Sequence, residues 1–295
     1  MNQDFWSQIF GFANYGELLQ LVRNSILAGA ILGVVGGLIG PFVMTRDLAF
    51  AVHGISELSF AGASAALLFG VNVVAGSIGG SLLAALLIGV LGAKARERNS
   101  IIAVLMPFGL GLGILFLALN KGRSANKFGL LTGQIVSVDN PQLLMLVLIS
   151  IIVIAGLVFL WRPLSFASVD ADVARARGLP VTTISIAFMI LLGLATAVSI
   201  QIVGALLVLS LLVTPAAAAM RVTASPLLTP LLSVIFAVAS VVGGILLALG
   251  GGLPISPYVT TISFLIYLVC RVIGHRRVRG GSSGRLSASA LESRI

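Results

Sequence analysis

Long apolar runs, interrupted by short polar punctuation, recur along almost the whole chain. A helix needs about 20 mostly apolar residues to cross a bilayer. Runs of that length predict spans near residues 21–44, 48–71, 73–93, 101–119, 141–161, 181–200, 201–220, 226–249 and 258–273. The sixth and seventh abut at Ser199-Ile200-Gln201, which requires a tight hairpin there. Eight spans remain if one of these segments is re-entrant. Residues 1–20 are aromatic and polar (Asp4, Phe5, Trp6, Phe10, Phe12, Tyr15) and predict an amphipathic helix lying on the membrane surface. They lack the basic start of a cleavable signal. Residues 121–137 are mixed, and the stretch Phe128 to Gln134 predicts a short helix within a loop, with a re-entrant segment as the alternative. Residues 21–273 therefore read as one transmembrane domain. The tail, 274–295, is basic and then Gly/Ser/Ala-rich, and is expected to be disordered.

Composition agrees with the pattern. Of 295 residues, 58% are hydrophobic and 9% charged, against about 25% charged in a soluble domain. Such a chain cannot cover a water-facing surface. Membrane barrels alternate in polarity and do not fit these continuous runs. The fold class is an all-α polytopic membrane protein. The net charge of +9 gathers at helix ends and loops, at Lys94–Arg98, Arg162, Arg175, Arg177 and Arg271–Arg279. Positive-inside topology and contact with anionic lipid explain it without a nucleic-acid partner. Nine spans then put the N-terminus outside and the C-terminus in the cytoplasm. The single Cys270 excludes a cysteine-rich metal cluster within the chain.

One stretch inside a span carries chemistry. His53 is one of two histidines, and Glu57 is the sole acidic residue between Asp47 and Glu97. Residues four apart share a helix face, so imidazole and carboxylate project together. Ionisable groups in a span are costly and point to function. Three readings are open: passage of a metal ion, a structural pair drawing on Arg46, and a proton relay. Ser56 and Ser59 lie beside them; helix-packing hydroxyls are the first reading and pathway lining the second. His275 sits among arginines that repel a cation and reads as solvated.

Residues 163–180 form the longest polar interval within the membrane portion. Asp170 is placed to cap a short helix that stops at Gly178. The sequence holds no G-x-x-x-x-G-K-[ST] phosphate loop and no nucleophile–base–orienter set. The chain is therefore not expected to be an enzyme.

Three segments in order resemble the integral-membrane permease of bacterial ABC importers for zinc, manganese and iron(II). Arg46 to Gly62 is similar to the family's Arg-Arg stretch leading to Gly-Asp-Ala-Leu-Ser-His-Ala. Phe166 to Val181 resembles its acidic, Ala-rich cytoplasmic segment closing on Gly-Leu-Pro. Ile202 to Ala219 resembles its Val-Gly-x-Leu-Leu-Val…Pro-Ala-Ala-x-Ala run. There is a departure: His53 stands where the family usually has Asp, and Glu57 where it has His. The donor pair is kept in exchanged order.

The resemblance implies a homodimeric permease in the bacterial cytoplasmic membrane. It would move a divalent ion (Zn, Mn or Fe) by alternating access, with His53 and Glu57 as ligands and no resident cofactor. Cytoplasmic ABC ATPase subunits and an extracytoplasmic metal-binding protein would be its partners. The short helix would couple to the ATPase through Asp170, Asp172, Val173, Ala174, Arg175, Arg177 and Gly178; a solvated loop helix is the alternative reading. Competing functions are a permease for chelated iron or a vitamin, a proton-coupled secondary carrier, and a membrane scaffold.

Overall fold

A computed structural model describes residues 16, 19–20, 22–92, 95–120, 138–249 and 255–292. The expected surface helix at 1–20 and the short helix at 128–134 lie largely or wholly outside them. The described residues form eleven helices and no strand: α1 (Arg23–Thr45), α2 (Ala49–Phe69), α3 (Val73–Leu91), α4 (Ala95–Leu119), α5 (Asn140–Val169), α6 (Ala171–Ala176), α7 (Val181–Val203), α8 (Ala205–Leu212), α9 (Thr214–Val222), α10 (Leu228–Leu249) and α11 (Ile255–Glu292). Eight of them are long and apolar enough to cross a membrane.

Local chemistry sets the helix ends. The Asn72 side chain accepts from Val74 N–H and Ala75 N–H at 2.9 and 3.1 Å and starts α3. Gly70, at φ +68°, closes α2 in the left-handed conformation. Pro141 sits in the first turn of α5, as expected.

Small residues then set how closely the helices approach. Gly29, Gly33 and Gly37 recur every fourth residue on α1 and face Val241, Val238 and Val234 of α10, so the two helices run antiparallel. Gly62 of α2 meets Gly76 and Gly80 of α3 backbone to backbone. Gly109 of α4 lies against Glu57 and Leu58 of α2, and Gly113 against Phe60. Thus α2 is wedged between α3 and α4.

The seventh predicted span is not a continuous helix, and there is no hairpin at Ser199–Gln201. Instead α7 continues to Val203 and turns at Gly204, whose φ of 80° and ψ of 159° suit glycine alone. The chain returns through α8 and α9, which break at Val213, with Pro215 in the first turn of α9. Contacts require this return. α7 starts beside Arg46, whose guanidinium reaches Ser185, and α10 also starts at that end, because Val234 lies against Gly37. The segment between them must come back across the bundle, and the Arg221 carbonyl ends beside Gly274. Among the described residues the bundle is therefore traversed nine times, by eight uninterrupted helices and one broken leg.

Gly204→Ala is expected to cost about 1–3 kcal/mol through backbone strain. Gly79, with open space around its Cα, should accept alanine without loss. Thermal unfolding of the purified variants in detergent checks this; equal melting temperatures would count against a Gly-only turn.

One further boundary differs from expectation. α5 continues past Trp161 through Pro163 to Val169. Leu164 and Ala167 are buried there, and the Ser168 hydroxyl donates to the Leu164 carbonyl at 2.6 Å. Packing outweighs the one backbone hydrogen bond that proline removes. The backbone of α11 runs from Ile255 to Glu292. Its Arg, Leu, Ala and Glu residues are good helix formers despite the glycines.

Candidate functional site

His53 and Glu57 lie on the first half of α2. His53 Nε2 stands 3.6 Å from Glu57 Oε1, and the side chains are 29% and 7% exposed. The separation exceeds a hydrogen bond. His53 Nδ1 and Glu57 Oε2 are both buried without a hydrogen-bond partner among the described residues. Leaving a buried polar group unpaired costs about 1–3 kcal/mol, more when it is charged. The pair thus keeps nitrogen and oxygen lone pairs unspent in an apolar bundle, a donor set suited to a first-row divalent cation. Phe50, one helical turn before His53, is 71% exposed, so the edge of α2 that carries the imidazole is open.

Arg46 does not join them. Its guanidinium donates to the hydroxyls of Ser168, at 3.3 Å, and of Ser185, and lies 5.9 Å from the centre of the Phe188 ring. Among the described residues the alternative reading of a structural pair drawing on Arg46 finds no contact, because the α1–α2 turn points the side chain toward α5 and α7. No group of three or more His, Cys, Asp or Glu side chains converges among the described residues. The chain therefore brings two such side chains, and no third, together at this place among the described residues.

Ser56 and Ser59 are buried, and their hydroxyls serve helix packing. Ser56 Oγ donates to the Ala205 carbonyl at 3.2 Å, tying α2 to the Gly204 turn. Ser59 Oγ is 2.9 Å from the Ser77 carbonyl and 2.8 Å from Ser77 Oγ, and Ser77 Oγ donates to the Ala197 carbonyl at 3.2 Å. This relay joins α2, α3 and α7. Ser77 is not singled out by the sequence; its only signal is that it is one of two hydroxyls, with Ser81, in an otherwise apolar and glycine-rich span.

The short polar helix forms as its sequence predicts. Asp170 Oδ1 accepts from the N–H groups of Asp172 and Val173 at 2.9 and 3.0 Å. Beyond the helix, Gly178 adopts φ +81°. Asp172 and Arg175 form an exposed ion pair, and Val173 and Arg177 also face outward. Ala174 does not: it is fully buried with Ala167 and Val181. It cannot present packing surface to a partner, contrary to expectation, because helical pitch turns it toward α5 and α7. It seats α6 on the bundle while its neighbours face out.

The model for the ABC 3 transport family matches residues 18–274. The manganese transport system membrane protein MntC of Listeria innocua is 30% identical over 241 residues, covering 81% of this chain and 82% of that one. The high-affinity zinc uptake system membrane protein ZnuB of Buchnera aphidicola is 25% identical over 264 residues, covering 88% and 99%. Among solved structures, PsaBC from Streptococcus pneumoniae in complex with Fab superposes with a TM-score of 0.79 at 24% identity, covering 88% of this chain and 95% of that one. The match takes in seven of the eight long helices whole, the first part of the eighth and both polar features, and the chain belongs to the ABC 3 transport family.

Proposed function

We propose that this chain is the translocation subunit of an ATP-driven importer for a divalent first-row metal ion. The observation that carries the reading is the His53–Glu57 pair, with its buried unspent donors, inside a span of an ABC 3 family member. The relatives named for manganese and zinc support a metal as cargo. The same donor set serves Mn2+, Zn2+ or Fe2+.

Two donors hold a first-row ion weakly, and the pair lies on an open edge. A homodimer that brings two such edges together supplies four donors, enough for tetrahedral zinc, or for manganese or iron with water. Two carboxylates offset the ion's charge where water is scarce. The ion is cargo, and nothing in this reading requires a resident cofactor. Alternating access opens the paired site first outward, to receive the ion from an extracytoplasmic binding protein, and then inward.

ATP hydrolysis belongs to separate subunits seated against α6. In this reading α6, the basic loops and the C-terminus face the bacterial cytoplasm. Asp170 and Gly178 shape the helix; Asp172, Val173, Arg175 and Arg177 form its outward surface. Motion of α6 reaches α5 and α7 through Ala174.

Proteoliposomes holding the chain, its ATPase subunit and the binding protein test the reading. ATP-dependent accumulation of free Mn2+, Zn2+ or Fe2+ is expected. Uptake of a chelate or vitamin alone, or uptake driven by a proton gradient without ATP, overturns it. In the same vesicles, Arg175→Glu with Arg177→Glu should cut transport-stimulated ATPase activity by about tenfold while metal affinity is unchanged. That estimate takes the loss of charged contacts at an interface as at least about 1.4 kcal/mol. Undiminished stimulation would remove α6 from the coupling surface.

A further inference from the structure

The end of the bundle that carries α6 holds a second polar feature, separate from His53 and Glu57. Arg46 from the α1–α2 turn, Arg98 at the head of the fourth span, and Arg175 of α6 line one pocket with Thr182 and Ser185 of α7. Its free space is about 80 Å3. One water needs about 10–15 Å3 of such space, so the pocket admits a group of several heavy atoms.

Among the described residues, positive charge in the pocket is poorly balanced. Arg46 donates only to neutral hydroxyls, those of Ser168 and Ser185, among the described residues. Arg98 donates to the Arg46 carbonyl at 3.2 Å and leaves its Nε buried without a partner among the described residues. Among the described residues two carboxylates are near. Asp47 attracts Arg98 electrostatically, and Asp172 pairs with Arg175 on the exposed side. Burial, and after it the neighbouring Arg98 charge, pushes the Arg46 pKa below its ordinary value. Like charges held together over neutral acceptors favour an anion, and the planar guanidinium fork matches the oxygens of a phosphate.

We propose that Arg46, Arg98 and Arg175, with the Thr182 and Ser185 hydroxyls, form a binding site for a phosphate oxyanion. The pocket lies where α1 ends at Thr45, the fourth span starts at Arg98, and α7 starts at Val181. Three spans end there together, which is the depth of lipid phosphates. The oxyanion can therefore come from an anionic lipid headgroup or from free phosphate in the water beyond. Bound, it ties α6 to the turn that leads into α2, the helix of His53 and Glu57. The site stands on its own geometry and does not depend on which ion the chain moves.

The test uses the full chain, purified and stripped of lipid, without ATPase. Radiolabelled inorganic phosphate is one probe. Phosphatidylglycerol and phosphatidylcholine, titrated and followed by native mass spectrometry, are the others. Saturable binding of one equivalent of inorganic phosphate or of phosphatidylglycerol is expected, in preference to phosphatidylcholine. The Kd should rise roughly tenfold or more in Arg98→Gln and in Arg175→Gln, as for loss of a charge-assisted hydrogen bond. Binding of inorganic phosphate assigns a soluble ligand; selective binding of phosphatidylglycerol assigns a headgroup. Arg175 is exposed, so its variant decides the matter if Arg98→Gln fails to fold. Failure of both anionic probes to bind, or equal affinity in wild type and Arg175→Gln, overturns the proposal.

Discussion

His53→Ala and Glu57→Gln are each expected to reduce ATP-driven metal accumulation to background, a loss of about 100-fold or more, while leaving the protein at least as stable as wild type. The two halves of the result have one cause. His53 Nδ1 and Glu57 Oε2 are buried and have no hydrogen-bond partner among the described residues. As structural elements they cost the fold roughly 1–3 kcal/mol each. Replacing the carboxylate by the isosteric amide keeps the packing and removes the ionisable group, and replacing the imidazole by a methyl group removes an orphaned nitrogen. Stability therefore holds or rises while the ion loses a ligand. Removing even an outer-shell partner typically costs about 10–100-fold in metal affinity, so direct ligands should cost more.

Uptake into proteoliposomes and thermal unfolding of the same preparations check both halves. Full uptake by either variant would eliminate that residue as a ligand. A clear fall in melting temperature, with uptake lost, would turn the pair into a structural one. The double variant His53→Asp with Glu57→His keeps one carboxylate and one imidazole at the same spacing. It should retain uptake where the two single changes do not.

Gly62→Val is the second large effect, and it acts on folding. A Cβ at Gly62 would land on the carbonyl oxygen of Gly76, one at Gly76 on the carbonyl of Gly62, and one at Gly80 on the carbonyl of Leu58. These are main-chain contacts between α2 and α3, so no flexible side chain can give way. The helices must separate, which also loosens the Ser59–Ser77 hydrogen bonds. Overpacking typically costs about 1–3 kcal/mol and sometimes more, and a rigid backbone contact belongs at the upper end. The yield of monodisperse protein should fall sharply, with a lower melting temperature for what remains. Gly111→Val, on α4 with nothing within 4 Å of its added Cβ, is the matched control and should behave as wild type. Equal behaviour of the two variants would mean that α2 and α3 do not need their close approach.

Much was legible in the residues wherever the physics is local. Twenty apolar residues in a row leave few alternatives to a span, and the eight long helices fall where the runs do. Asp170 accepting two amide hydrogens, and Gly178 beyond the end of α6, follow from side-chain reach and from glycine's missing Cβ. The spacing of His53 and Glu57 places them on one face whatever packs around them.

The broken return leg was not legible as such. Residues 201–220 are as apolar as any span, and only the antiparallel packing of α1 on α10 forces the chain back across the bundle. The inward turn of Ala174 depends on α5 continuing past Pro163 to receive it.

Sequence alone therefore determined the class, the number of crossings to within one, the capped polar helix and the one ionisable pair inside a span. These depend on the length of apolar runs and on residues a few positions apart, which the chain brings together without help. Tertiary structure decided what lies beside that pair, which hydroxyls are spent on packing, and that Arg46, Arg98 and Arg175 share one pocket. Those facts depend on helices distant in sequence meeting at particular heights. Small residues and carbonyl contacts set those heights, and hydropathy carries no record of them.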